Sequence, residues 1–300
     1  MAATWGLELE KGQIGLCQVR QTSQGLKVQR GVSLPLPPGL LTPSLTELNV
    51  AEEEELTAEL RSLLNKAGWR GGRVALALPD LTCRVGYQDF EELNGTPSDI
   101  RQLLCWRLKD RLPFPAQGAR MDYQPLPSGG KGARLLYLLA REAVIGQYET
   151  LLANVGLEPT RIISRGVALY RLFKVAGIGG KRLLLALGPS SLLFIYTEEG
   201  VTRLWRVLPW DDHGAQQDWR CRAEEMLREL QETLTYLGEE MGAGEPDSLL
   251  LMGEDEPLLA ESLTKACRLS VETFPSPRDG LRAQFLASAG AALLQQAWRS

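Results

Sequence analysis

The feature that most constrains this 300-residue chain is a strand pattern that occurs twice. Residues 4–10, 13–20 and 26–33 alternate apolar and polar, with turn signals at Gly12 and "SQG" (23–25) between them. Each run reads as a β-strand, and the three together as an antiparallel unit. After a series of helix–strand units the pattern returns at 182–188, 191–197 and 201–208. A repeat spaced by about 180 residues is too long for a solenoid. It predicts two copies of one α/β plan.

The intervening segments fit that plan. The proline-rich stretch 34–43 cannot be a helix interior. Residues 51–69 read as an amphipathic helix whose "EEEE" start lies where the helix dipole favours acids, a solvated helix start and not a metal site. A buried strand follows at 71–79, and the alternating run 80–90 is expected to pair with it. A helix at 96–114, strands at 119–126 and 133–140, a helix at 141–156, a strand at 158–166 and a helix at 166–175 complete the first half. "GIGG" (177–180) reads as a joint between lobes. The second half continues with a helix at 220–242, a strand at 247–253, a helix at 256–267, a strand at 269–274 and a closing helix at 283–298.

Composition excludes several function classes. With 33 basic and 37 acidic residues the net charge is −4, which argues against a nucleic-acid binder that relies on an overall positive field. The single histidine, His213 in "WDDHG" (210–214), leaves no room for a His-rich metal site, and the stretch reads as a polar loop. The five cysteines make no CxxC pair and read as reduced, mostly buried thiols. No secretory signal opens the sequence, and no apolar window approaches the ~18 residues of a membrane span. "GIGGKR" (177–182) and "SGGKGA" (128–133) lack the spacing of a phosphate-binding loop and read as turns. The acidic pairs Asp211–Asp212 and Glu224–Glu225 are adjacent in sequence, which does not make them convergent.

The duplicated order resembles the actin-like ATPase plan of sugar kinases, Hsp70 and actin, an RNase H-like two-lobe α/β fold. Several stretches carry the likeness: "WGLELEKGQIGLCQV" (5–19), "VALALPDLTCRV" (74–85), "LPFPAQGARMDYQPL" (112–126), "LLAREAVIGQYETLLANVGLEPTRI" (138–162), "LLLALGPSSLLFIYTEEGVTRLWRVLP" (183–209) and "LLLMGEDEPLLAESL" (249–263). Their order resembles the PilM branch of type IV pilus assembly proteins, relatives of FtsA and of the GspL cytoplasmic domain. The resemblance implies a first lobe formed by 1–79 and 159–178, an inserted α+β subdomain at 80–158, a second lobe at 179–300, and a cleft between the lobes.

In such proteins two hairpin turns, commonly Asp-x-Gly, grip nucleotide phosphates with backbone N–H groups, and their carboxylates hold hydrated Mg²⁺. Here Glu8 stands in place of the first Asp and Glu10 in place of the Gly. An extra carboxylate ~4 Å from a phosphate costs about 4 kcal/mol at an effective dielectric of 20. Lys11 offers a cation, and Gly15 stands where many relatives have Lys. In the second turn Ala186 replaces the Asp, Gly188 is kept, and Pro189 removes a backbone donor, leaving the hydroxyls of Ser190 and Ser191. The adenosine loop keeps Gly253 but has Glu254. The expectation is a degenerate cleft with no catalytic residue and no metal site, and with weak or absent binding of ATP and Mg. If used at all, the cleft would draw on Glu8, Lys11, Gln13, Gly188, Ser190, Ser191 and Gly253. The alternative has Glu8 replacing the Asp in function and Glu10 turned outward, in an active, filament-forming ATPase. A GspL-like secretion domain is a further alternative.

The resemblance further implies a cytoplasmic scaffold, peripheral to the inner membrane, that takes no nucleic acid and does not insert into the bilayer. Its implied partners are the short cytoplasmic tail of a PilN-like bitopic inner-membrane protein and a pilus or secretion ATPase. The tail is expected in a first-lobe groove beside the inserted subdomain, with walls from 83–90, 104–115 and 133–140. Trp106, Phe114, Tyr123 and Tyr137 are the candidate anchors, each competing with a plain role in the subdomain core.

Overall fold

The computed structural model describes residues 3–22, 25–127, 132–210, 219–252, 257–267, 269–274 and 281–296. The first half runs β1 (Thr4–Glu10), β2 (Gln13–Thr22), β3 (Gly25–Pro35), α1 (Glu53–Lys66), β4 (Arg73–Leu78), β5 (Arg84–Phe90), α2 (Pro97–Leu108), β6 (Ala119–Leu126), β7 (Ala133–Arg141), α3 (Glu142–Ala153), β8 (Glu158–Ser164) and α4 (Arg165–Ala176). The second half runs β9 (Lys181–Leu187), β10 (Ser191–Glu198), β11 (Val201–Pro209), α5 (Trp219–Glu239), β12 (Ser248–Met252), α6 (Pro257–Cys267), β13 (Ser270–Phe274) and α7 (Leu286–Gln296).

The two halves build the same sheet. The first has the order β3-β2-β1-β4-β8 and the second β11-β10-β9-β12-β13. In each, three antiparallel strands lead into two parallel ones. The hairpin between β1 and β2 closes on Lys11 and Gly12, and Gly12 takes φ +80°, a conformation that favours glycine. "GIGG" is partly a helix ending: Gly177 caps α4 in the left-handed region, its N–H bonded to Lys174 O.

The run 80–90 behaves differently from its expected pairing with β4. Both edges of β4 are taken, by β1 and β8, so no ladder is open to β5. The chain leaves through a short 3-10 turn, Asp80–Thr82. β5 instead joins β7 and β6 in a separate three-stranded antiparallel sheet. Helix α2 covers one face of that sheet around Phe90, Leu104, Leu108, Leu135, Tyr137 and Leu139. Helix α2 opens with a reciprocal cap between Thr96 and Asp99, and Pro97 sits in its first turn.

The cores explain how the lobes meet. On the outer face of the first sheet, Leu7, Leu9 and Leu76 pack with Leu56 and Leu60 of α1 and with Tyr148 and Leu151 of α3. On the outer face of the second sheet, Leu183, Leu185, Phe194 and Tyr196 pack with Met226 and Leu230 of α5 and Leu263 of α6. The inner layer is shared. Helices α4 and α7 contribute Ala168, Leu169, Phe173, Ala289 and Ala292 to one cluster with Cys17 and Ala75 from the first sheet and Leu184 and Leu193 from the second. This layer is backbone-tight: a Cβ on Gly6, where α7 lies on the first sheet, would lie 1.8 Å from Ser288 O, and one on Gly290, where α7 crosses α4, would lie 1.9 Å from Ala168 O. The period-2 alternation of β1 sends Leu7 and Leu9 outward and Gly6, Glu8 and Glu10 inward. Two carboxylates therefore enter the layer between the lobes.

Candidate functional site

At the C-terminal end of β1 the inner layer becomes polar. Glu8, Glu10, Asp80, Ser190 and Arg165 are between 0% and 7% exposed. Strand β1 supplies the two glutamates, the turn after β4 supplies Asp80, and α4 supplies Arg165 as its first residue. The second hairpin turn, between β9 and β10, supplies Ser190. Arg165 Nε lies 3.5 Å from Glu8 Oε1, and its Nη2 donates to Leu187 O at 3.0 Å. Ser190 Oγ donates to Glu10 Oε1 at 2.8 Å, and Lys11 N–H donates to the same oxygen at 2.9 Å. Asp80 Oδ1 accepts from Gly166 N–H at 2.7 Å, so this carboxylate sits at the positive end of α4.

Three acids thus surround one guanidinium. Burial pushes the carboxyls of Glu8 and Glu10 up to about 7, against the pull of Arg165. Burial raises Asp80 as well, again opposed by Arg165 and by the Gly166 N–H. Glu10 Oε2, Asp80 Oδ2, Arg165 Nη1 and Ser191 Oγ are buried without a hydrogen-bond partner in the protein.

The nucleotide candidates fall as follows. Glu8, Glu10, Gly188, Ser190 and Ser191 gather at the cluster, and Glu10 points inward rather than outward. Lys11 and Gln13 are half-buried at the first turn. Gly188 is close-fitted: a Cβ there would lie 3.1 Å from Arg165 Nη1. Gly253 and Glu254 of the adenosine loop, and "DDHG" of 211–214, lie outside the described residues. Sequence reasoning passed over Asp80 and Arg165. Their signals were small: an acid directly after a buried strand, and one arginine at a strand–helix junction inside "IISRGVALY" (162–170).

A second site lies on the first lobe. A groove of about 230 Å³ runs between β6 and β8, with Arg120–Asp122 on one side and Pro159–Ile162 on the other. Cys83, Leu138 and Ile145 form its apolar floor. Each flanking strand is the last in its sheet. Arg120 donates to Glu142 and Glu149 of α3, which ties the subdomain to the first lobe at the groove mouth. The four aromatic candidates stand elsewhere. Tyr137 is 4% exposed in the subdomain core, with Phe114 and Tyr123 packed against it. Trp106 is 58% exposed on α2, with Arg107 Cζ 5.3 Å and Lys109 Nζ 5.6 Å from its ring centroid. None of the four lines the groove.

No described helix is long and apolar enough to cross a membrane. No family model and no curated protein matches the sequence. Solved structures do match over nearly the whole chain. A chain of the PilM–PilN type IV pilus biogenesis complex is 21% identical with a TM-score of 0.80, covering 97% of this chain and 98% of that one. The cytoplasmic domain of EpsL, an inner-membrane component of the type II secretion system of Vibrio cholerae, is 15% identical with a TM-score of 0.56, covering 100% and 96%. A Bacteroides thetaiotaomicron protein with an actin-like ATPase fold is 12% identical with a TM-score of 0.54, covering 96% and 95%. With two matching five-stranded sheets, a shared helical layer and a separate three-stranded sheet in the first half, this chain has the two-lobed actin-like ATPase fold.

Proposed function

We propose that this protein is a cytoplasmic scaffold of a type IV pilus or related secretion machine, held at the inner membrane by a partner's short cytoplasmic tail. The observation that carries the reading is the groove between β6 and β8. It lies between two sheet edges that no other described strand occupies. An extended peptide satisfies such edges through its own backbone while its side chains enter the apolar floor. The likeness to a chain of the PilM–PilN complex supports a PilN-like bitopic protein as the source of that peptide. The weaker likeness to the EpsL cytoplasmic domain supports the same general setting. The inter-lobe cluster supports a scaffold over an ATPase, because carboxylates occupy the places where phosphates are gripped in this fold.

The test is fluorescence polarisation with a labelled synthetic peptide that spans the cytoplasmic tail of a PilN-like bitopic protein from the same organism. The peptide binds the wild-type chain. Leu138→Glu puts a charge on the groove floor and abolishes binding while the thermal melt stays within a few degrees. Equal binding by wild type and Leu138→Glu would reject the groove as the tail site.

A further inference from the structure

The inter-lobe cluster has an arrangement that a degenerate site alone does not require. The Glu10 carboxylate accepts from the backbone N–H of Lys11 in the first hairpin turn and from the hydroxyl of Ser190 in the second. One carboxyl group therefore bridges the two turns. Arg165 crosses the same boundary in the other direction. It belongs to the first half by sequence, yet its Nη2 reaches Leu187 O at the end of β9, while its Nε faces Glu8. The second turn is also closed upon itself: Gly188 N–H donates to Ser191 O, and Trp210 N–H to Ser190 O. Pro189 has no N–H to offer.

We propose that the cleft is self-liganded, with the Glu10 carboxyl seated between the two turns in the place of a ligand's anionic group and the Arg165 guanidinium, paired with Glu8, as the cleft's cation, so that the lobes are held together with no bound molecule. Two hydrogen bonds at 2.8 and 2.9 Å fix the Glu10 carboxyl, and the ion pair with Glu8 plus the bond to Leu187 fix the cation. The carboxyls of Glu8 and Glu10, the Arg165 guanidinium and the Ser190 hydroxyl are buried, where such contacts act in low dielectric. The close crossing at Gly290–Ala168, between α7 on the first sheet and α4 against the second, gives the lobes little room to slide while the cluster is intact. This inference does not depend on the tail groove, and its test uses no peptide.

Chemical rescue tests it. Glu10→Ala removes the built-in carboxyl, the acceptor shared by the Lys11 N–H and the Ser190 hydroxyl; Arg165→Ala removes the cation. Thermal melts of wild type and both variants are run against sodium formate, inorganic phosphate and guanidinium chloride, each at low millimolar concentration with sodium chloride as the ionic-strength control. The expected result is a drop of about 5–10 °C in each variant. Formate or phosphate then restores Glu10→Ala selectively, guanidinium restores Arg165→Ala selectively, and wild type responds to none. Where either variant fails to fold, Ser190→Ala breaks one bridge more gently, and hydrogen exchange at 8–12 and 188–192 reads the outcome. Faster exchange at both turns supports the self-liganded cleft. Absence of ion-selective rescue in folded variants, or unchanged exchange in Ser190→Ala, overturns it.

Discussion

Replacing Glu10 with glutamine tests the electrostatics of the inter-lobe cluster. The carboxyl of Glu10 is wholly buried and is raised from 4.5 to about 7, first by burial, with Arg165, the Lys11 N–H and the Ser190 hydroxyl opposing and Asp80 adding to the rise. The charged groups that face it are Arg165 and Asp80, with Glu8 one strand period away on the same face of β1. Because the folded value is raised, the folded state holds a proton that the unfolded state has lost between pH ~4.5 and ~7. Stability is therefore full below about 4.5 and falls as pH rises through about 7. A rise of this size corresponds to about 3 kcal/mol for an isolated group. Glu8 titrates in the same range and shares Arg165, so the share recovered at position 10 is about 2 kcal/mol. The glutamine amide of the variant keeps an oxygen for the Lys11 N–H and the Ser190 hydroxyl but cannot ionise. Urea denaturation of Glu10→Gln is therefore expected to show about 2 kcal/mol of added stability at pH 8, or about 4 °C in Tm, and close to none at pH 5. A destabilised variant at pH 8, or an equal effect at both pH values, would refute this reasoning.

Other perturbations follow from the packing. Gly6→Ala forces a Cβ into the Ser288 carbonyl and is expected to cost more than about 3 kcal/mol, read as loss of the cooperative melt at 37 °C. Tyr137→Ala hollows the subdomain core and is expected to cost about 3–5 kcal/mol in a denaturant series. Trp106→Ala is expected to change stability by less than about 0.5 kcal/mol and to leave tail-peptide affinity unchanged, because the ring stands outside both core and groove. A peptide dissociation constant more than tenfold weaker in Trp106→Ala would move the tail site onto α2.

Much of the architecture was legible because it rests on local periodicity. The alternation in 4–33 and 182–208, the glycine turns and the capped helix at Thr96 each declare an element within a few residues. The pairing of β5 was not legible, since it depended on β8 returning some 80 residues later to occupy the open edge of β4. The site was legible by half. Glu8 and Glu10 stood out as carboxylates in a hairpin where glycine and a single acid are usual, and Ser190 as a hydroxyl in its counterpart. Arg165 and Asp80 did not, because nothing in either local sequence says that a strand end and a helix start converge on the same buried point. The groove was legible in part: Cys83 and Leu138–Ala140 fall in two of the expected wall segments, 104–115 does not reach it, and 120–122 and 159–162 gave no signal because strand edges leave no residue signature. Aromatics drew attention instead, and Tyr137 went to the core, as large apolar rings usually do.

The most direct test of the scaffold reading is equilibrium binding of the labelled tail peptide measured with and without saturating Mg-ATP, with a fluorescent ATP analogue titrated in parallel. The account predicts that the peptide binds with the same affinity in both conditions and that the analogue shows no saturable binding. Tight nucleotide binding, or a peptide affinity that changes severalfold when Mg-ATP is added, would contradict it and make this chain a nucleotide-controlled switch.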